Sequence, residues 1–189
     1  QTCDPQTCCA HKVKYMCALS FQSQLTCTQP GCTWHSDPPS EFGLDLSPAV
    51  KSGSKTTGSL ETLLKAFQKP ELLTARDSYT CGSCGSSVRR ALRLRRTGQV
   101  FLIHFIRFDD RGRKFTKQAH FPRELLLGKV RYVFAAMVEH QGDTKQRGHY
   151  VTYVDAQNML CCDDNEVVAT TRSHIQSKDA YILAHVRAD

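Results

Sequence analysis

The sequence predicts an α+β fold that is mainly antiparallel, with one helix in the first half of the chain. Three observations predict it. Most of the second half alternates apolar or β-branched residues with polar ones in short segments, which is typical of strands. Residues 59–67 instead carry apolar residues at helical spacing. Close pairs of cysteines flank that helix, and such pairs suit a metal ion better than disulfides.

Composition limits the class of protein. The chain has 189 residues, a formal net charge of +7 and ten cysteines. This length suffices for one sizeable core, or one core and a small subdomain. No apolar run approaches the roughly 20 residues that span a bilayer, and no secretory leader is visible. The chain starts at Gln1, so we expect a processed chain or part of a longer one.

Ten cysteines are also compatible with a disulfide-stapled secreted domain. The length of the chain and the close cysteine pairs favour reduced cysteines, and hence an intracellular location, cytoplasmic or nuclear. The positive charge is concentrated in one segment. Its arginines alternate partly with Leu92 and Leu94, which predicts a solvated strand face. No aromatic interleaving accompanies them, so we expect no nucleic-acid partner. These arginines are Arg89, Arg90, Arg93, Arg95 and Arg96.

The first half contains a candidate metal site. Residues 21–27 alternate like a strand that ends at Cys27, and a Thr-Gln-Pro-Gly turn separates Cys27 from Cys32. Cys81 and Cys84 have a two-residue gap with glycines beside it, which lets both sulfurs face one ion. The four thiolates predict structural zinc, with free buried cysteines as the alternative. His35 is a possible substitute ligand.

The predicted helix begins at Ser59, its N-cap, with Thr62 where a capping-box glutamate would stand, and Pro70 ends it. The preceding residues 47–58 predict a surface loop, and residues 42–46 a short extended segment. Residues 88–94 and 99–108 are predicted to pair as a hairpin, with 100–108 as the central strand and His104 as a core histidine. Further predicted elements are strands at 125–127, 132–140 and 180–185, and a short helix at 171–178.

The candidate catalytic stretch is Gly148-His149-Tyr150-Val151-Thr152-Tyr153-Val154. It predicts a half-buried strand with His149 at its entrance, after a polar loop at 141–147. An acidic turn at Asp163 and Asp164 follows and could return beside His149. A histidine oriented by a carboxylate is a general base suited to activating a nucleophile.

These motifs together resemble the ubiquitin-specific proteases, the papain-like cysteine deubiquitinases. The resemblance covers about residues 21–185. It is carried by the order of cysteine knuckle, helix, cysteine knuckle, apolar strand, histidine box, acidic turn and closing strand. The individual segments are Val100–Phe108, Phe121-Pro122-Arg123-Glu124-Leu125, the histidine box at 148–154, Cys162-Asp163-Asp164-Asn165-Glu166-Val167 and Ala180-Tyr181-Ile182-Leu183.

The resemblance implies that residues 1–189 are part of a catalytic domain. It implies zinc-binding fingers at about 21–98 and a palm at about 99–189, without most of the helical thumb. It also implies that ubiquitin or ubiquitinated proteins are the partners, and that the loop at 141–147 moves to admit ubiquitin's tail. In this reading His149 moves the proton and Asp163 orients its ring, with Asp164 able to share that role. The implied zinc ligands are Cys27, Cys32, Cys81 and Cys84.

The chain departs from the family pattern at the nucleophile. The family's asparagine-rich cysteine box is absent, and Cys3, Cys8 and Cys9 lack its neighbours. We therefore expect this chain alone to be inactive. Three hypotheses remain: the C-terminal part of an active deubiquitinase, a non-catalytic ubiquitin-binding module, and a zinc-stabilised β-rich scaffold without a link to ubiquitin.

Overall fold

The computed structural model describes residues 16–17, 19–37, 41–43, 59–108, 111–112, 114, 120–175 and 180–188. Their strands form two sheets, one of five strands and one of seven, and every strand pair is antiparallel. This confirms the predicted fold at the level of mostly antiparallel sheets with few helices. Within these residues, no helix combines the length and the apolar character needed to cross a membrane.

The first sheet lies in the first half of the chain. It is built from β1 (Leu19–Cys27), β2 (His35–Ser36), β3 (Glu41–Gly43), β4 (Glu71–Leu73) and β5 (Val88–Arg96). Its order is β2-β1-β5-β4, and β3 also pairs with β1. One end of the long β1–β5 ladder pairs Cys27 with Val88, which brings the two cysteine pairs together.

The predicted hairpin between residues 88–94 and 99–108 is wrong. β5 pairs with β1 and β4, whereas β6 (Val100–His104) pairs with β12 (Ala180–Arg187) in the second sheet. The three-residue link 97–99 therefore crosses from one sheet to the other. The physical reason is that β1 offers β5 a partner along its whole length, which outweighs pairing with the next strand in sequence.

The second sheet has the order β11-β10-β9-β8-β12-β6, with β7 also paired to β8. The other strands are β7 (Glu124–Leu127), β8 (Val130–Thr144), β9 (Arg147–Asp155), β10 (Met159–Asp163) and β11 (Glu166–Ala169). Among the described strands β6 therefore lies at one end, and the prediction that 100–108 is the central strand is wrong. The reason is that β12, the last strand, inserts between β6 and β8.

Helix α1 (Leu60–Phe67) confirms the predicted helix and its cap. The backbone N–H of Thr62 donates to Ser59 Oγ at 3.3 Å, which satisfies one free donor of the first turn. Leu60 and Leu64 are buried in the main core beside the apolar residues of β6 and β8. Phe67 meets Phe21 of β1 edge-on at 5.4 Å, so α1 also contacts the first sheet.

The predicted polar loop at 141–147 is instead largely strand. β8 continues to Thr144 and β9 starts at Arg147, so only two residues form the turn. The ladder shifts register between Gln141 and Thr144, where Gly142 has a φ of +137°. This bulge lets a polar, glycine-containing segment stay in the sheet.

Some predictions fall partly or wholly outside the described residues. The loop at 47–58 lies outside them, as do residues 44–46 of the predicted extended segment and residues 176–178 of the predicted helix. The described part of that helix is α2 (Arg172–Ile175). His104 is partly buried and meets Tyr181 edge-on at 4.7 Å.

Candidate catalytic dyad and metal site

The strand order brings His149 and Asp163 together. β9 and β10 are antiparallel neighbours that pair Thr152 with Cys162, so the end of β10 returns beside the start of β9. His149 Nε2 and Asp163 Oδ1 are 2.5 Å apart, a short hydrogen bond. The two side chains are 43% and 49% exposed, so the pair is open to a substrate.

Asp164 takes a different place in the same turn. It has a φ of +46°, the left-handed conformation that a tight turn between β10 and β11 requires. His149, Asp163 and Asp164 each place one polar atom within 4.8 Å of the others. Asp163 accepts the hydrogen bond of the His149 ring, and the influence of Asp164 on the ring is electrostatic.

The two carboxylates alter the acid–base behaviour of His149. The hydrogen bond that the ring donates to Asp163 raises the pKa of the imidazole above its usual 6.5, and the charges of Asp163 and Asp164 add to this while burial opposes it. Because Asp163 occupies Nε2, the other ring nitrogen, Nδ1, is left for proton exchange with a reacting group. The arrangement suits a base that becomes a stable imidazolium.

No thiol of the described residues joins this cluster within 4.8 Å of all three members. Cys161 and Cys162 lie on β10 and are partly buried. Cys3, Cys8 and Cys9, which the sequence made poor candidates, lie outside the described residues. A nucleophile for His149 is therefore not identified among the described residues.

Gly148, the residue before His149, lies against the ring of His140. A Cβ at this position would lie 2.1 Å from Nε2 of His140 and 2.8 Å from the backbone oxygen of Gln141. The buried ring of His140 meets Tyr150 at 5.0 Å and Phe108 at 5.3 Å. The missing side chain of Gly148 therefore makes room for the His140 ring.

A buried polar network beside the dyad was missed by the sequence analysis. Glu139 is 7% exposed and its Oε2 accepts hydrogen bonds from Tyr153 Oη at 3.0 Å and Gln141 Nε2 at 3.2 Å. Burial raises the pKa of the Tyr153 hydroxyl, and its bond to Glu139 adds to the effect. The signal was present in the sequence, since an acidic residue inside an apolar strand requires partners.

The four predicted zinc ligands form one cluster. Cys27, Cys32, Cys81 and Cys84 each place Sγ within 4.8 Å of the other three. Three of the sulfur–sulfur distances are 3.5, 3.8 and 3.9 Å. Zinc bound tetrahedrally at about 2.3 Å separates its sulfurs by about 3.8 Å, whereas a disulfide needs about 2.05 Å. The spacing therefore fits a tetrahedral metal ion.

The surroundings of the sulfurs also fit a metal site. Backbone N–H groups of Gln29 and Ser83 donate to Sγ of Cys27 and Cys81 at 3.3 and 3.4 Å. Hydrogen bonds from Ser86 lower the pKa of Cys84 to about 6, whereas burial raises that of Cys27 to about 12. A divalent cation would offset the cost of ionising all four thiols together.

Trp34 and His35 differ in their relation to this cluster. Trp34 packs beside it, since a Cβ on Gly82 would lie 3.1 Å from the indole Nε1. His35 is exposed, pairs with Thr26 through the strand ladder and is not a member of the cluster. The suggestion that His35 could replace a cysteine ligand is therefore not supported by the geometry.

This chain combines a two-sheet fold with a histidine–aspartate pair and a cysteine cluster. Comparison with known protein families identifies the class of protein to which this combination belongs. The chain matches the ubiquitin carboxyl-terminal hydrolase family over residues 4–185. It therefore belongs to this family of deubiquitinating proteases, which confirms the resemblance found in the sequence.

Two human relatives illustrate the relationship. Ubiquitin carboxyl-terminal hydrolase 17-like protein 5 is 29% identical over 182 residues, covering 88% of this chain and 33% of the relative. The 17-like protein 6 has the same identity and coverage of this chain, with 44% of its own length covered. The chain thus spans less than half the length of these curated relatives.

Solved structures show the same fold. A chain of the yeast SAGA DUB module with mutant Sgf73 is 24% identical, with a TM-score of 0.80 over 93% of this chain and 42% of that one. The SAGA DUB module of Ubp8, Sgf11, Sus1 and Sgf73 bound to monoubiquitin gives 23% identity and a TM-score of 0.80, covering 99% and 43%. At this identity the likeness establishes the fold alone.

Proposed function

We propose that this chain is part of a cysteine-type, ubiquitin-specific protease that hydrolyses the bond after the C-terminal glycine of ubiquitin. One observation carries the proposal. This chain belongs to the family, and its His149 and Asp163 side chains are hydrogen-bonded to each other and about half exposed. In a zinc-stabilised scaffold without a reaction to perform, this pair would need neither the exposure nor the alignment.

The proposed mechanism assigns a role to each described group. A thiol from a segment outside this chain gives its proton to Nδ1 of His149, and the thiolate attacks the carbonyl carbon. The protonated ring then passes this proton to the leaving amine, and the carbon–nitrogen bond breaks to leave a thioester. Water hydrolyses the thioester. Asp163 holds the ring and stabilises its charged form, with Asp164 as a weaker electrostatic contributor.

Ubiquitin is the proposed partner. Two of the similar solved structures contain monoubiquitin or ubiquitin aldehyde. By likeness to them, the first sheet and its cysteine cluster correspond to fingers at about 21–98, and the second sheet to a palm at about 99–189. This division and the binding of ubiquitin to it are part of the proposal.

We further propose that Cys27, Cys32, Cys81 and Cys84 hold a structural zinc ion. When bound, zinc supplies a cross-link between the turn at 27–32 and the turn at 81–85, and no reaction step depends on it. The cysteines themselves are supported by Trp34 and by the backbone donors of Gln29 and Ser83.

The test uses ubiquitin that carries a thiol-reactive group at its C-terminus. We expect a covalent adduct, seen by intact mass, with the full-length polypeptide that contains this chain. We expect no adduct with residues 1–189 alone. Cleavage of diubiquitin by the full-length polypeptide should be lost on His149→Ala. A full-length polypeptide that forms no adduct and cleaves no ubiquitin conjugate would contradict the hydrolase proposal.

The second candidate function is a ubiquitin-binding module that does not cut. The observation that favours it is that no described thiol joins His149, Asp163 and Asp164. The same experiment separates the two: a full-length polypeptide that binds monoubiquitin but forms no adduct would support the binding module. An adduct that maps to a cysteine within residues 1–189 would contradict our expectation about this chain.

A further inference from the structure

The Glu139 network lies directly across the hairpin from the candidate general base. In the β8–β9 ladder Gln141 is the partner of His149, and Glu139 is the partner of Val151. Side chains of directly paired residues share one face, with Cβ atoms about 4.5–5.5 Å apart. Gln141 and Glu139 are two residues apart on β8 and share that face too. The exposed Gln141 side chain thus neighbours His149 and is tied to Glu139.

The hydrogen bonds fix the orientation of the Gln141 carboxamide. The NH₂ group of Gln141 donates to Glu139 Oε2 at 3.2 Å, so the nitrogen end of the carboxamide faces Glu139. Tyr153, which is 2% exposed, donates a second hydrogen bond to the same carboxylate oxygen at 3.0 Å. The carbonyl oxygen Oε1 of Gln141 takes part in no hydrogen bond among the described residues, and it belongs to an exposed side chain.

The backbone around Gln141 is also held in place. The bulge that follows it packs Gly142 against Gly148: a Cβ on Gly142 would lie 2.9 Å from Cα of Gly148 and 2.8 Å from the oxygen of Arg147. The two backbones approach so closely there that a side chain at position 142 would clash. The hairpin therefore fixes Gln141 and His149 relative to each other, and an acceptor oxygen is available near the base.

We infer that Gln141 positions the substrate by accepting the N–H of the scissile amide through its Oε1. This deepens the proposed function and rests on it. When the thiolate has added to the carbonyl, the amide nitrogen becomes tetrahedral, with one N–H and one lone pair. Its lone pair must point at the protonated His149 to receive the proton before the carbon–nitrogen bond breaks. If an acceptor on the adjacent strand binds the N–H of the substrate, the lone pair of the same nitrogen is directed to the imidazolium.

No covalent change takes place at Gln141. The proton passes from His149 to the nitrogen, the bonding pair leaves with the amine, and the thioester remains. Glu139 and Tyr153 act through Gln141, because they fix which end of its carboxamide faces the substrate. The inference predicts selectivity, because a ubiquitin thioester has no N–H at the scissile position and gains nothing from this contact.

The experiment compares two substrates in the full-length polypeptide: an isopeptide-linked ubiquitin–lysine conjugate and a ubiquitin thioester. Gln141→Leu removes the amide and keeps the exposed position filled. We expect kcat/KM for the isopeptide to fall about tenfold, the value of one lost hydrogen bond of about 1.4 kcal/mol. We expect kcat/KM for the thioester to stay nearly unchanged. The matched control is Gln157→Leu at the exposed turn between β9 and β10, which should alter neither.

A second variant tests the anchor. Glu139→Met should reproduce the isopeptide-selective loss, and the double variant should lose no more than Gln141→Leu alone, because both changes remove one contact. Equal losses on both substrates, or no loss in the soluble, folded Gln141→Leu variant, would overturn the inference and leave the hydrolase proposal standing. A wild-type polypeptide that is inactive on both substrates would overturn both.

Discussion

At the scale of single residues, the two adjacent carboxylates are not equivalent. Asp163 contacts the His149 ring, whereas Asp164 occupies the left-handed position of the turn. A sequence shows two aspartates side by side and cannot separate these roles, because which carboxylate faces the histidine depends on the register of β10 against β9.

We predict that Asp163→Asn slows cleavage of a ubiquitin conjugate by the full-length polypeptide about a hundredfold or more, because an amide cannot stabilise the imidazolium as a carboxylate does. Asp164→Asn, a substitution of the same size one residue away, should cost only a few-fold. The measurement is kcat/KM with folding checked by circular dichroism. Equal effects of the two substitutions would rule out Asp163 as the orienting residue.

The raised pKa of His149 gives a second residue-scale prediction. The imidazole of this chain should titrate above 6.5 in NMR spectra, and Asp163→Asn should return its pKa towards 6.5. Because the folded pKa is raised, the stabilisation by the pair is fully present below pH 6.5 while Asp163 is ionised. It is lost as the pH rises through the folded pKa. A wild-type pKa at or below 6.5 would contradict the geometry of the pair.

At the scale of elements, the β8–β9 hairpin carries the candidate site. It contains His149, the Glu139 network and the His140 ring that lies against Gly148. The backbone of the hairpin, rather than a mobile loop, sets the position of the base.

We predict that Gly148→Ala destabilises the chain by about 3 kcal/mol, since the new methyl group would overlap the buried His140 ring and the Gln141 backbone oxygen. Gly112→Ala is a matched control, because no described atom lies within 4 Å of the position of a Cβ at residue 112. The only expected cost is backbone strain from its φ of +76°, about 1 kcal/mol in the free energy of unfolding. Urea unfolding of the two variants measures the difference. Costs of similar size would contradict the close approach of His140.

Sequence patterns predicted the elements better than their partners. Helix α1 and its Ser59 cap were predicted because spacing and capping are local properties. The pairing of β5 with β6 was predicted wrongly, since no local property of 88–96 reveals that the distant strand β1 is its partner. The polar stretch 141–147 was taken for a loop because its composition hides a bulge, which only the ladder with β9 makes evident.

The candidate site, like the fold, was predictable where the signal was local and was missed where it depended on strand pairing. His149, Asp163 and the four clustered cysteines follow from motifs whose residue types and spacing carry the chemistry. Glu139 and Gln141 were missed because their significance depends on cross-strand neighbours. Period-two alternation along β8 puts them on one face, but the register against β9 is needed to place that face beside His149.

At the scale of the whole molecule, the two sheets depend on different interactions. The main core joins α1 to the second sheet, with Phe21 and Leu94 of the first sheet packed against it. The far end of the first sheet has a much smaller core, formed by Leu25, Leu73, Cys81 and Val88. A metal cross-link would therefore matter most there.

We predict about one equivalent of zinc in the reduced, purified chain, because the four clustered sulfurs match one tetrahedral site. Cys84→Ser should lose the metal, and Cys162→Ser, outside the cluster, should retain it. Removal of the metal by a chelator should speed hydrogen exchange in β1 and β5 and leave β8 and β9 protected. Metal-free wild-type protein, or equal loss in both variants, would contradict the zinc proposal.

The spacing of the two sites along the chain also sets an order of assembly. His149 and Asp163 are 14 residues apart on the two strands of one hairpin, whereas Cys27 and Cys84 are 57 residues apart. Closing a long loop costs more entropy, and distant contacts form late in folding. We expect pulse-labelled hydrogen exchange to find β8–β10 protected before β1–β5, and the reverse order would contradict this. A refolding chain would then present its histidine–aspartate pair while its cysteine knuckles are still apart and exposed to oxidants.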